Sequence, residues 1–183
     1  MNPPKVYLDN NIVSGRIRGD LRQTEMPAVT AIDRLHSEGR IERVTSRESW
    51  REQERTRDAD QRAVLAARRD EVAVVQDDHR LHGFSTLDYG RRGFISSPLI
   101  SDVVDDALFA ALRSTGLKDA DARHLMYAVA NNCNIFVTLD TRHFVDGGRR
   151  EGLEACCSGR IRIMTPSEFV ASMEFRPAEP THS

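Results

Sequence analysis

A chain of 183 residues with 39% hydrophobic and 30% charged residues is long enough and apolar enough to form one domain with a sizeable core. Its formal net charge of −2 excludes binding to nucleic acid through overall charge, so a polyanion would have to meet a local basic patch. Three cysteines, two of them adjacent and none in a C-x-x-C pair, argue against a zinc site and a disulfide framework and favour a reducing cytoplasm.

Short apolar runs alternate with stretches of helical periodicity along the chain. The N-terminus, MNPPKVYLDN, has no run long enough for a signal peptide or a membrane span. In chain order we predict a strand over 5–8, a helix over 26–37, a strand over 41–45, a helix over 46–69, a strand over 71–75, helices over 101–114 and 119–131, strands over 135–139 and 161–164, and a closing helix over 166–173. This order predicts a single α/β domain over 1–175 with a mainly parallel central sheet of about five strands, and a disordered tail over 176–183.

Turn and cap residues mark several of these boundaries. Asn10 and Asn11 follow the first strand as turn or cap residues, and Gly39 is expected to end the first helix. Asp119 is predicted to cap the helix that it opens. The segment 76–100 has no clear period, and we interpret it as a long inserted loop that is functional or mobile.

Acidic residues stand where the predicted strands end. Asp9 directly follows the first strand and Asp140 the fourth, and ligands bind at the edge where the carboxyl ends of parallel strands meet. Asp121 lies in the first turn of the helix before the fourth strand and is expected to face the same edge. Buried carboxylates side by side need a compensating cation, and Mg²⁺ or Mn²⁺ binds to oxygen ligands without His or Cys. Each acid taken alone is also explained as a helix cap or by the helix dipole.

A fourth acid comes from the helix after the second strand. Thr45 and Glu48 have the spacing of a capping box, which gives Glu48 a structural explanation. Glu52 lies one turn further and is expected to project over the end of the second strand, with Glu54 as the less favoured substitute. Either glutamate taken alone is ordinarily interpreted as part of a solvated helix face. The predicted convergence of four acids at one edge is therefore stronger evidence for a site than any one of them.

Four segments occur in an order found in a known family: VYLDNN, residues 46–52, DARHLMYAVANNCNIFVTLDTRHF and IRIMTPSEFV. The most specific is 121–144, in which an Asp-Ala-x-His-Leu helix precedes an apolar strand and Thr-x-Asp-x-x-Phe. Together they resemble the PIN-domain family, the fold of many metal-dependent ribonucleases, including VapC-type toxins. The resemblance implies a three-layer α/β/α fold, a Mg²⁺ or Mn²⁺ cofactor and an RNA substrate. For a type II toxin it also implies an antitoxin partner and a homodimer.

The resemblance also implies roles for individual residues. The catalytic acids would be Asp9, Glu52, Asp121 and Asp140. Asp9, Asp121 and Asp140 would bind the metal, and Glu52 would bind it or orient the attacking water. Thr138 would support the site, with Asn10 as its neighbour. His143 departs from the family, which often has another acid or an amide there, and the 76–100 segment has no counterpart in compact members.

RNA must be drawn to an acidic site by basic residues around it, and loop arginines suit phosphate contacts. The candidates are Arg16 and Arg18 after the first strand, Arg91 and Arg92 in the 76–100 segment, and Arg142, Arg149 and Arg150 after the fourth strand. A solvated or salt-bridged surface is the ordinary interpretation of any one of them. His124 is expected to be a packed, hydrogen-bonded histidine rather than a general base.

Two other classes of function were weighed against a nuclease. A haloacid-dehalogenase-like phosphatase also has Asp after its first strand but needs a second acid at position 11, which is Asn here. A dinucleotide-binding protein would need G-x-G-x-x-G after a strand, and the sequence has none. The remaining alternative is a catalytically weak PIN-like module that binds RNA or protein and regulates through its partners.

Overall fold

The computed structural model describes residues 2–19, 21, 23–75 and 103–174, and the backbone of four short pairs between 80 and 101. Its strands are β1 (Lys5–Leu8), β2 (Glu42–Thr45), β3 (Ala73–Val74), β4 (Arg80–Leu81), β5 (Thr86–Leu87), β6 (Phe94–Ile95), β7 (Ile100–Ser101), β8 (Ile135–Val137) and β9 (Arg162–Met164). Its helices are α1 (Asn10–Arg18), α2 (Met26–Ser37), α3 (Arg47–Glu54), α4 (Ala59–Ala67), α5 (Asp106–Ser114), α6 (Asp119–Ala130), α7 (Thr141–Phe144), α8 (Arg149–Cys156) and α9 (Pro166–Glu174).

Five strands form one parallel sheet in the order β3-β2-β1-β8-β9. Tyr7 in the central strand lies opposite Val44 of β2 and Phe136 of β8. The predicted α/β class, with a mainly parallel sheet of about five strands, is confirmed. Because β1 and β8 are neighbours with the same direction, the residues after Leu8 and after Val137 leave the sheet at the same edge.

Alternating residues of the strands enter two separate hydrophobic clusters, one on each face of the sheet. Tyr7 and Phe136 belong to the cluster that also contains Leu112 of α5 and Leu125 of α6. The other cluster is built from the intervening strand positions together with α1, α2 and α9, and contains Val6, Val137, Ile12, Ile32 and Phe169. Helices therefore cover both faces, which is the expected three-layer α/β/α arrangement.

Several predicted boundaries were wrong. Residues 10–18 form helix α1, whereas only a turn was expected after the first strand. The long helix predicted over 46–69 is two helices, because Asp58 caps a new helix by accepting hydrogen bonds from the backbone N–H groups of Asp60 and Gln61. The third strand is reduced to Ala73–Val74, since a 3₁₀ turn occupies Arg69–Glu71.

Helix starts and ends also differ from the predictions. Helix α5 begins at Asp106 rather than near 101, because the Asp105 carboxylate caps it by accepting from Leu108 N–H. Lys118, not Asp119, occupies the N-cap of α6. Gly39 lies just past the C-cap residue of α2, with a φ of 69° that suits glycine. Helices α7 and α8 were not predicted.

The inserted segment 76–100 and the tail 176–183 lie almost wholly outside the described residues. Within the segment the structure gives only β4 to β7, where β4 pairs with β7 and β5 with β6, both antiparallel. Arg91 and Arg92 lie outside the described residues, so their predicted RNA contacts stay predictions. Among the described helices, none combines the length and apolar character needed to cross a membrane.

Candidate active site

Asp9 stands at the point where β1 gives way to α1. It is 5% exposed and caps α1, with its Oδ1 accepting a 2.7 Å hydrogen bond from Asn10 N–H. Its Oδ2 accepts two more, each 2.7 Å long, from Asn11 Nδ2 and from Thr138 Oγ1. A buried carboxylate with three donors is held in one orientation.

Thr138 and Asn11 join the ends of β1 and β8. The buried Thr138 hydroxyl donates to Asp9 and accepts from Asn11 Nδ2 and from Asp140 N–H, both at 3.0 Å. Asn11 Oδ1 accepts from Leu139 N–H at 3.1 Å. Thr138 thus has the position that the sequence predicted for a supporting residue, and Asn11 has a bracing role that was not predicted. Asn10 contacts Asp9 through its backbone N–H, while its side-chain Oδ1 accepts from Gln53 Nε2 at 3.1 Å.

Asp140 lies beyond β8 and caps the short helix α7. Its Oδ1 accepts from His143 N–H at 3.1 Å, and its Oδ2 is 2.6 Å from His143 Nδ1. Both side chains are about one-third exposed, at 32% for Asp140 and 31% for His143. Where the family often has a further acid or an amide, this chain has a histidine that pairs with one of the predicted metal ligands.

Asp121 and Glu52 approach from two helices that pack against each other, α6 and α3. Asp121 is half-buried near the start of α6. Its neighbour Asp119 is instead exposed and pairs with Arg113 at 2.6 Å, so Asp121 is the acid of this pair that faces the site. Glu52 lies on α3, with its Oε2 at 3.2 Å from His124 Nε2.

The pKa shifts of Asp9 and Asp121 indicate that the charges of these acids interact. Burial raises the pKa of Asp9 from 3.8 to about 6; His124 and the Thr138 hydrogen bond oppose this, while Glu52 and Asp121 add to it. Burial likewise raises the pKa of Asp121, and the carboxylates of Glu52 and Asp140 raise it further. The four predicted acids are therefore brought to one edge of the sheet, where they form a single acidic cluster.

A chain of buried hydrogen bonds reaches Glu52 from the core. Tyr7 Oη donates to Ser46 Oγ at 2.6 Å and lies 2.7 Å from His124 Nδ1, and His124 Nε2 contacts Glu52. Burial by itself lowers the pKa of His124, but the bond to Glu52 and the charges of Asp9 and Glu52 outweigh it and leave the pKa raised. The imidazole is fully buried and hydrogen-bonded at both nitrogens, as expected from the sequence.

The predicted capping box at Thr45 and Glu48 was wrong. The cap position of α3 is Ser46, whose side chain makes no cap hydrogen bond. Thr45 Oγ1 donates instead to the Leu8 carbonyl at 3.0 Å. Glu48 is fully buried and pairs with Arg51 at 3.1 Å, so it is a core ion pair rather than a cap.

Several candidate arginines are engaged in structural contacts on helices, not in loops. Arg16 on α1 pairs with Asp33 at 3.0 Å and with Glu71 at 3.7 Å. On α8, Arg149 donates to the carbonyls of His143 and Thr115, and Arg150 pairs with Glu168 at 2.9 Å. Each of these guanidinium groups already has a protein partner, and the predicted phosphate contacts of Arg16, Arg149 and Arg150 stay predictions.

Arg18 and Arg142 line a cavity beside Asp140. Arg18 lies in the last turn of α1 and Arg142 in α7, and both are exposed. They are the two candidate arginines within the described part of the chain that border the acidic cluster.

The donor set of the cluster suits a hard cation, because it consists of carboxylate, amide and hydroxyl oxygens. The raised pKa of Asp9 points the same way, since a nearby cation would relieve the cost of ionising it. Over the described residues, however, no three His, Cys, Asp or Glu side chains are grouped so as to hold a metal. In this arrangement Asp140 is paired with His143 and Glu52 with His124.

Sequence reasoning missed the residues that brace the acids. The sequence shows Asn11 as a polar residue two positions after Asp9. Its contacts with Thr138 and Leu139 depend on the pairing of β1 with β8, which the sequence alone does not show. Tyr7 appeared only as part of an apolar strand, and its hydroxyl partners lie on other elements.

Comparison of the chain with models of protein families, with curated proteins and with solved structures gave no match.

Proposed function

We propose that the protein is a ribonuclease that uses Mg²⁺ or Mn²⁺ to cleave RNA phosphodiester bonds, as its resemblance to PIN domains implies. The observation that carries the proposal is the acidic cluster at the carboxyl edge of the sheet. Four carboxylates lie at that edge, where their charges interact, and Asp9 is buried with a pKa raised to about 6. A bound divalent cation would offset the cost of ionising these neighbouring carboxylates.

In this proposal Asp9, Asp121 and Asp140 hold the metal, and Glu52 binds it or orients water. The bound ion would supply an activated water and stabilise the leaving oxygen. The chain's own residues fix the acids: Thr138 and Asn11 hold the Asp9 carboxylate, and His124 holds Glu52. Such positioning matters because small displacements of catalytic groups cost much activity.

The cellular role of the protein is proposed from the family resemblance alone. The protein would act in the cytoplasm as the toxin of a type II toxin–antitoxin pair. It would form a homodimer and be neutralised by a small antitoxin protein. Light scattering of the purified chain tests the dimer, and co-expression with the product of an adjacent small open reading frame tests the antitoxin.

The test of the nuclease is cleavage of end-labelled single-stranded RNA by protein first stripped of metal. We expect cleavage on addition of Mg²⁺ or Mn²⁺, and near-complete loss in Asp9→Asn and Asp140→Asn. Asp119→Asn is the matched control, because Asp119 is an exposed acid two residues from Asp121 that pairs with Arg113. Undiminished metal-dependent cleavage in both cluster variants would refute the proposal.

A second candidate is the catalytically weak PIN-like regulatory module that binds RNA or protein. It is favoured by one observation, that the described acids do not form a ready-made metal-binding group of three. This candidate predicts RNA or protein binding without dependence on divalent ions. The cleavage assay separates the two, since the module would leave labelled RNA intact with or without metal.

A further inference from the structure

A cavity of about 390 Å³ opens beside the acidic cluster. Six residues that line it carry the inference: Asn11, Arg18, Leu21, Leu139, Asp140 and Arg142. Its size falls within the range of small-molecule sites, which begins at roughly 300 Å³. It is large enough for one nucleotide.

The cavity adjoins the acidic cluster through two residues. Asp140 belongs to both, and Asn11 forms a wall between them, because its side chain also donates to Asp9 Oδ2 at 2.7 Å. Asn11 is fixed by a further bond from Leu139 N–H to its Oδ1 at 3.1 Å. A group bound in the cavity would therefore lie next to Asp140, with the side chain of Asn11 held between it and Asp9.

The lining combines cationic and apolar groups. Arg142 is exposed, and its guanidinium has no hydrogen-bond or ion-pair partner among the described residues, unlike Arg16, Arg149 and Arg150. Arg18 is the second basic residue of the lining. Guanidinium groups match the oxygens of a phosphate and can bind them with two parallel hydrogen bonds.

Apolar surface lies beside these charges. Leu21 is 8% exposed, and Leu139, immediately before Asp140, packs against the cluster that contains Val137. The parts of both side chains that line the cavity offer a small apolar surface against which a ribose or a base can lie. A site for a small inorganic anion has no use for such a surface.

We propose that this cavity is a nucleotide subsite that holds the RNA nucleotide flanking the scissile phosphodiester. Arg18 and Arg142 contact its phosphate, and Leu21 and Leu139 contact its sugar or base. The proposal rests on the ribonuclease function proposed above and adds to it the place where the substrate is held. Among the candidate arginines of the described residues, it separates Arg18 and Arg142, which contact the substrate, from three that pair with other protein groups: Arg16, Arg149 and Arg150.

The site is tested by binding to the full-length protein in chelator, so that the result does not depend on metal or cleavage. Adenosine 5′-monophosphate, adenosine and inorganic phosphate are titrated separately at low ionic strength and followed by NMR. We expect the mononucleotide to bind more tightly than either of its parts. Because each of these guanidinium groups makes charge-assisted hydrogen bonds to the phosphate, Arg142→Ala should weaken mononucleotide binding by about tenfold or more, and Arg18→Ala should weaken it as well.

Arg34→Ala is the matched control, because Arg34 is a strongly exposed arginine on α2 that pairs with Glu38 and does not line the cavity. It should leave binding unchanged. Equal affinity for mononucleotide and phosphate, or unchanged mononucleotide binding in both Arg18→Ala and Arg142→Ala, would overturn the subsite. Thermal melts that match the wild type show that a loss of binding is not a loss of fold.

The same variants in the cleavage assay separate this proposal from the one on which it rests. RNA cleavage with KM unchanged in both arginine variants overturns the subsite and leaves the ribonuclease standing. Binding of mononucleotide that depends on Arg142, in a protein that cleaves no RNA with any divalent ion, supports the subsite and overturns the ribonuclease.

Discussion

Thr138→Val removes one hydroxyl and almost nothing else. Valine has nearly the same shape as threonine, and the side chain is fully buried. The lost hydroxyl donates to Asp9 Oδ2 at 2.7 Å and accepts from Asn11 Nδ2 and Asp140 N–H at 3.0 Å each. The substitution therefore cuts the connection between the ends of β1 and β8 while it leaves the apolar packing in place.

The size of the effect follows from these three bonds. The bond to the Asp9 carboxylate involves a charged group, whereas Asn11 Nδ2 keeps its second partner, Asp9 Oδ2. Asp140 N–H loses its partner within a part-buried site. Together these changes should lower the free energy of unfolding by about 2–4 kcal/mol. For a chain of 183 residues that corresponds to a fall in Tm of roughly 5–15 °C.

Urea unfolding followed by circular dichroism, at pH 8 with chelator, measures the change without any assumption about function. Asp9 is ionised under these conditions, because pH 8 lies above its raised pKa of about 6. Thr138→Ser is the control, since it keeps the hydroxyl and loses one buried methyl, for about 1 kcal/mol. A Thr138→Val protein as stable as Thr138→Ser would refute the reasoning that the hydroxyl braces Asp9.

Two further predictions concern the groups around Asp9. Tyr7→Phe leaves Ser46 Oγ and His124 Nδ1 without a buried partner, so it should lower the free energy of unfolding by about 1–3 kcal/mol; a denaturation midpoint equal to that of the wild type would contradict the hydrogen-bond chain. Burial raises the pKa of Asp9 above its unfolded value of 3.8, so the folded metal-free protein holds this proton more tightly than the unfolded chain does. Protonated Asp9 therefore adds at most about 3 kcal/mol to the free energy of unfolding. This contribution is fully present below about pH 4 and is lost as the pH rises to about 6. Asp9→Asn lacks this titration, so a difference in unfolding free energy between variant and wild type that stays constant from pH 4 to 6 would argue against the raised pKa.

Most of the sheet could be predicted from the sequence because strands such as β1 and β8 are short apolar runs with a clear end. Helix α1 could not, because Asn10, Asn11 and Gly15 are weak helix formers. Burial of Ile12 and Val13 against the sheet overrides that local preference. The long charged pattern over 46–69 has one periodicity, yet Asp58 begins a second helix within it.

The candidate site divides in the same way. The positions of Asp9 and Asp140 follow from a topological rule, since the carboxyl ends of neighbouring parallel strands share an edge. Their bracing does not, because it joins residues far apart in the chain: Asn11 contacts Leu139, and Tyr7 contacts His124. The pairing of His143 with Asp140 is local, but only the structure shows that it engages the carboxylate.

Calorimetric titration of the metal-free protein with Mn²⁺ decides whether the acidic cluster is a metal centre. We predict saturable binding that is abolished in Asp9→Asn and Asp140→Asn and retained in Asp119→Asn, whose carboxylate pairs with Arg113 outside the cluster. Binding should strengthen as the pH is raised through about 6, because the metal competes with the proton on Asp9. No heat of binding by the wild type, or equal binding by wild type and Asp9→Asn, would contradict the assignment of these acids to a metal-dependent nuclease.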